Sequence, residues 1–206
     1  KLLRLINEVK RFDTGEIDGA TLCTRFGTPP EWLILGLLGN PNILPAYAAP
    51  NAWKGPYRAS AAIPGRDGAC RWFKFPNYEP NGSIRLAAAF DWMNTDKSSI
   101  QMVCTVTAPK ETEAVLHWNW DDGGIIRLND TVVSDHRDYP AKGHGLQYQD
   151  RYNFEESVPV TIPAGTSRLS AICLNSHGSL GINVRITDKD GWPIEGLTFS
   201  TPPLEP

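Results

Sequence analysis

The chain has 206 residues, a length that suits one β-sandwich or barrel domain. Hydrophobic residues make up 41% and charged residues 21%, which is enough apolar material for a sizeable core that folds without staples. A formal net charge of -3 with no basic stripe argues against nucleic acid as a partner, and no apolar run nears the ~18 residues needed to span a bilayer.

Along the chain, Leu2, Leu3, Leu5, Ile6 and Val9 recur at helical spacing, with Arg4, Glu8 and Lys10 between them. Gly15 and Gly19 end that pattern, so residues 1–20 read as a helical and linker segment and carry the only helix expected. From Glu31 onward, short runs of Val, Ile, Thr and aromatics alternate with Gly, Pro, Asn and Asp clusters, as in many-stranded folds. The stretch from Gly39 to Gly68 holds Pro41, Pro45, Pro50, Pro56 and Pro64. It cannot supply central strands, because proline has no ladder donor, and it reads as a long surface loop. Trp53, Tyr57 and Trp72 form an aromatic group there that either caps one end of the core or lines a groove.

Strand alternation returns at Gln101 to Thr107 and Ala114 to Trp118. Ile125 to Leu128 and Thr131 to Val133 flank Asn129-Asp130, a two-residue hairpin turn. Ser157 to Ile162, Arg168 to Leu174 and Gly181 to Thr187 supply three more strands. The expectation is an all-β, jelly-roll β-sandwich over residues 21–200, with a short N-terminal helix, a long proline-rich loop and a proline-rich tail at 201–206. Both ends read as cut from something longer. Cys23, Cys70, Cys104 and Cys173 show no Cys-x-x-Cys spacing and no paired His, which argues against zinc. Cys104 and Cys173 sit inside apolar strand-like runs and read as buried thiols, with a disulfide as the alternative.

Asp121-Asp122-Gly123-Gly124 is the most informative loop. Its adjacent carboxylates suit a calcium ion or the hydroxyls of a sugar, while the same letters also make a capped turn. Trp118 and Trp120 lie two apart and face the same side, either as core or as a flat platform for a pyranose ring. The run from Ser134 to Tyr152 interleaves tyrosines with planar polar side chains, including Arg137 and Tyr139. There Arg137 suits the carboxylate of an acidic sugar, and an ordinary solvated insertion is the alternative. A sugar at this rim would stack on Trp120 and hydrogen-bond to Asp121, Asp122 and Arg137. Catalysis is not expected. Asp121 and Asp122 diverge rather than face each other across a cleft, and neither a Gly-x-Ser-x-Gly elbow nor a recognisable triad is present.

Four pieces carry a resemblance. They are WLILGLLGN at Trp32 to Asn40, WDDGGIIRLNDTVV at Trp120 to Val133, VPVTIPAGTSRLSAICLN at Val158 to Asn175 and INVRITDKDGWPIEGL at Ile182 to Leu197. In this order they resemble the galactose-binding-like and protective-antigen-type jelly rolls appended to bacterial polysaccharide-degrading enzymes. Leu37-Leu38 departs from the usual Pro-Phe pair, and Trp120 stands where those modules carry a small residue. The resemblance implies a non-catalytic carbohydrate-binding module of a secreted polysaccharide-active protein, extracellular or periplasmic, beside a catalytic domain of a longer chain. No cofactor is required, although a comparable Asp-Asp pair in protective-antigen-type modules contacts calcium and sugar. The alternatives are a structural accessory domain, whose partner would cover the N-terminal apolar stripe, and a calcium-dependent adhesion module.

Overall fold

The computed structural model of the chain describes residues 1–40, 55–77, 79–90, 94–137, 156–178 and 180–206. It opens with two helices, α1 (Leu2–Asp13) and α2 (Gly19–Arg25). The strands follow as β1 (Glu31–Gly39), β2 (Tyr57–Arg58), β3 (Ile63–Gly65), β4 (Gly68–Cys70), β5 (Trp72–Pro76) and β6 (Ser83–Arg85). Next come β7 (Ser98–Ala108), β8 (Thr112–Trp120), β9 (Gly123–Leu128), β10 (Thr131–Asp135) and β11 (Glu156–Ile162). Last are β12 (Gly165–Asn175), β13 (Gly181–Thr187), β14 (Thr198–Ser200) and β15 (Leu204–Glu205).

Two antiparallel sheets form the sandwich. The first runs β10-β9-β12-β7-β1-β5, with β14 also paired to β7, and the second runs β11-β8-β13-β6. From β5 to β14 the chain crosses between sheets at almost every connection, and only the β9–β10 hairpin stays within one. That winding is the expected jelly roll. Alternation fills the space between the sheets: Ile100, Met102, Cys104 and Val106 from β7 meet Leu116, Trp118 and Trp120 from β8 and Ile182, Val184 and Ile186 from β13. Each of these is at most 4% exposed. All four cysteines are free and buried, as read for Cys104 and Cys173.

The structure departs from expectation in three places. Residues 19–25 are helical, because the Asp18 carboxylate accepts from the Thr21 backbone N–H at 2.8 Å and caps the first turn. The proline-rich stretch is more than a surface loop. Its residues 41–54, Trp53 among them, lie outside the described residues, but Tyr57 and Cys70 are buried with Trp72 against Leu33, Leu35 and Leu38 on the outer face of the first sheet. Tyr57 and Trp72 meet edge to face at 5.0 Å. In the tail, β15 pairs in parallel with β2.

Helix α1 is oriented unusually. Its Glu8 is buried, while Leu2, Leu3, Ile6, Val9 and Phe12 are 40–76% exposed. Ion pairs from Lys1 to Asp188 and from Arg4 to Glu195 link it to the sandwich. Its apolar stripe faces outward.

Candidate functional site

The parts expected to form the rim are arranged differently. Trp118 is fully buried and Trp120 is 4% exposed, with ring centroids 4.3 Å apart. Both belong to β8 and alternate inward with Ala114 and Leu116, so the reading of Trp120 as an open platform is corrected. Gly124 helps to seat them. A Cβ there would lie 3.2 Å from the Trp118 ring and 2.9 Å from the Ile172 carbonyl oxygen.

What reaches the surface is the cover over the tryptophans. His136 stacks on Trp120 at 4.2 Å with 11° between planes. Its Nε2 lies 3.0 Å from Glu156 Oε2, which also accepts Trp118 Nε1–H at 3.0 Å and the Ser134 hydroxyl. The geometry follows from register. Glu156 pairs with Trp118 across the β8–β11 ladder, so it continues the inward series Ile162, Val160, Val158 out to the open edge. A register shift between Val132 and Ser134 in β10 places Ser134 opposite the inward Ile126. Burial pushes the Glu156 pKa up, but hydrogen bonds from Ser134, Trp118 and His136 outweigh it and hold the carboxyl below its ordinary value. His136 and Glu156 remain about a third exposed.

Beside them, Arg137 grips Asp135 in bidentate fashion, with Nε to Oδ1 at 2.8 Å and Nη2 to Oδ2 at 2.6 Å. The side chains of Arg137 and Asp135 are each 35% exposed. Hydrogen bonding from Arg137 is the main reason the Asp135 pKa is lowered. The expected carboxylate partner for Arg137 is therefore supplied by the chain itself. Tyr139, with the rest of the run at 138–155, lies outside the described residues.

The Asp122 carboxylate serves the turn. Asp122 sits at φ 65°, and its Oδ2 accepts the backbone N–H of Ser176 at 2.6 Å and of His177 at 3.3 Å. Asp121 is 9% exposed, and its backbone N–H donates to the Gly181 carbonyl at 3.1 Å. Among the described residues no three His, Cys, Asp or Glu side chains converge in a way that could hold a metal ion. An Asp122 oxygen that receives two amide protons is aimed at donors. That oxygen does not suit the calcium ion that was one alternative reading of the pair.

Sequence reasoning did not single out Glu156 or Ser134. The available signal was a charged residue in the inward register of an alternating strand. A separate cleft of about 750 Å³ lies between α1, α2 and the 192–199 segment, with Arg4, Glu8, Trp192 and Phe199 in its wall. It contains none of the expected site residues.

No family model matches the chain, and no curated protein does. Among solved structures, a family 35 carbohydrate binding module from an environmental isolate aligns with TM-score 0.32 and 16% identity, over 52% of this chain and 72% of that one. The PA14 domain of the MpAFP antifreeze protein aligns at 0.36 and 14%, over 50% and 52%. An anti-sigma factor domain-containing protein from Clostridium clariflavum aligns at 0.35 and 13%, over 53% of this chain and 32% of that one. The chain thus spans only about a third of the last and half of the second. Likeness at this level carries no argument about ligand or partner.

Proposed function

We propose that this chain is a non-catalytic glycan-binding module whose contacts come from Asp135, His136, Arg137 and Glu156, not from a tryptophan platform. The observation that supports this is the end of β10, where two held pairs, His136 with Glu156 over the tryptophans and Arg137 with Asp135 at the outward register of Ile125, stay about a third exposed. Fixed carboxylate, imidazole and guanidinium groups suit the paired hydroxyls of a sugar, because little side-chain entropy is lost on binding. Glu156 and Asp135 both have lowered pKa values, so both favour the ionised form and are poor proton donors, whereas glycoside hydrolysis needs one carboxyl held protonated. Binding needs no calcium on this reading. Secretion and a catalytic neighbour in a longer chain belong to the same proposal.

The test is affinity electrophoresis of the chain against a panel of neutral and acidic polysaccharides, with and without chelator. Hydrogen bonds to charged groups contribute roughly 1.5–3 kcal/mol each, so Arg137→Ala should weaken retardation by about tenfold or more, and chelator should change nothing. Retardation equal to wild type in a folded Arg137→Ala, Glu156→Gln variant would reject this rim. Release of reducing ends would reject the non-catalytic reading.

One observation favours a second reading, a structural accessory domain. The outward stripe of Leu2, Leu3, Ile6, Val9 and Phe12 is what a neighbouring domain would cover. Absence of retardation by every polysaccharide would favour that reading.

A further inference from the structure

The outer face of the first sheet carries a charge imbalance of which the glycan reading uses only Asp135 and Arg137. In β9 the residues alternate, with Gly124, Ile126 and Leu128 inward and Ile125 and Arg127 outward. Arg127 lies opposite Ser170 of β12 on one side and Val132 of β10 on the other. It is 7% exposed. Three guanidinium groups and two carboxylates interact here: Arg127, Arg137, Arg168, Asp130 and Asp135. Both carboxylates are taken. Arg137 grips Asp135, and Arg168 Nη2 donates to Asp130 Oδ1 at 2.5 Å and to the Asn129 carbonyl at 3.4 Å. Arg127 is left over. Among the described residues its guanidinium has no ion pair or hydrogen bond. The neighbouring Arg168 also has a buried Nε with no partner.

Such an arrangement is costly. A cation on a side chain only 7% exposed is disfavoured when no carboxylate pairs with it, and two more cations nearby add repulsion. Burial is the main cause of the lowered Arg127 pKa, repulsion from Arg137 is next, and Asp135 and Asp130 oppose the shift only in part. Tyr57 packs from a third element. Burial raises its pKa, while the charge of Arg168 and a hydrogen bond from Arg168 to its hydroxyl pull the other way.

We propose that Arg127 and Arg168 form an oxyanion-binding site on the outer face of the first sheet, between β9 and β12. A planar fork that lacks a partner matches the oxygen pair of a carboxylate or a sulfate. The anion comes either from free solute or from an acidic group on a polysaccharide, and the mouth of the site is the Arg168 side chain, 20% exposed.

The test is the thermal midpoint of the intact chain in sodium sulfate against sodium chloride at equal ionic strength, and in oligogalacturonate against its methyl ester. Wild type should gain about 2–4 °C in the anionic arm, since an anion held only by the folded state stabilises it by mass action. Arg127→Met should stay folded, because an apolar chain of similar length replaces an unpaired buried charge, and should lose the gain. Arg168→Gln, at a partly exposed position, should reduce it. A gain with sulfate assigns the site to a free oxyanion, and a gain with oligogalacturonate alone assigns it to a polymer. Equal gains in wild type and both variants, or no gain in either anionic arm, would overturn the proposal. Neutral-glycan binding at the rim should survive Arg127→Met, so the two proposals fail separately.

Discussion

Trp118, Gly124 and Glu156 show how single residues shape this rim. The Trp118 indole is buried, its N–H is satisfied by Glu156, and its ring needs the space that Gly124 leaves. Trp118→Ala should therefore cost about 3–5 kcal/mol, read as a loss in urea midpoint at unchanged slope. Gly124→Ala should also destabilise, because the added methyl meets the Ile172 backbone as well as the movable ring. A Gly124→Ala variant as stable as wild type would contradict the seating described. The burial of both tryptophans was not decided by sequence. Period two fixes that they share a face, but not which face, since platform and core have the same spacing. The inward register of Glu156 with Val158, Val160 and Ile162 was legible in principle. It was obscured because a carboxylate at an inward position reads as a strand boundary until its three donors are known.

Among the elements, the long strands of the second half were the most readable. β7, β8, β12 and β13 fall where alternation places them, since one face of each meets the core. The second helix was missed for a physical reason. It is seven residues long, begins at a glycine and holds two threonines, so no apolar period can form. Its stability rests on the Asp18 cap and on burial of Leu22 and Cys23. Asp18→Ala should weaken this first turn and raise amide exchange at Thr21 before that of any strand. Exchange at Thr21 unchanged by the substitution would show that packing alone holds the turn. The small strands β2 to β4 were hidden by Pro56 and Pro64, which exclude central strands but allow a short hairpin laid over a sheet face.

For the whole molecule, the titrating groups point in one direction. Glu156 and Asp135 have folded pKa values below their ordinary 4.5 and 3.8. Their stabilisation is full above the unfolded values and is lost as pH falls through the folded ones. His117 is pushed below its ordinary 6.5, first by burial and then by Arg185, so it stays neutral in the fold while the unfolded ring takes a proton. That too costs stability as pH falls from about 6.5. The thermal midpoint should therefore decline steadily from pH 7 to pH 3, and Glu156→Gln should flatten the part below about 4.5. A midpoint that rises on acidification would contradict both assignments. The two-sheet architecture follows from composition and turn spacing, whereas the proposed rim depends on contacts between β10, β11 and the end of β8. Those contacts join residues far apart in sequence.

The central claim is that ligand meets the polar cover and not the tryptophans beneath it. An NMR titration of the labelled chain, with the oligosaccharide most retarding in the polysaccharide panel, tests it directly. The His136 ring and Arg137 Nε signals should shift progressively to saturation, while the Trp118 indole signal stays in place. Saturating shifts confined to residues outside Asp135, His136, Arg137 and Glu156 would contradict it.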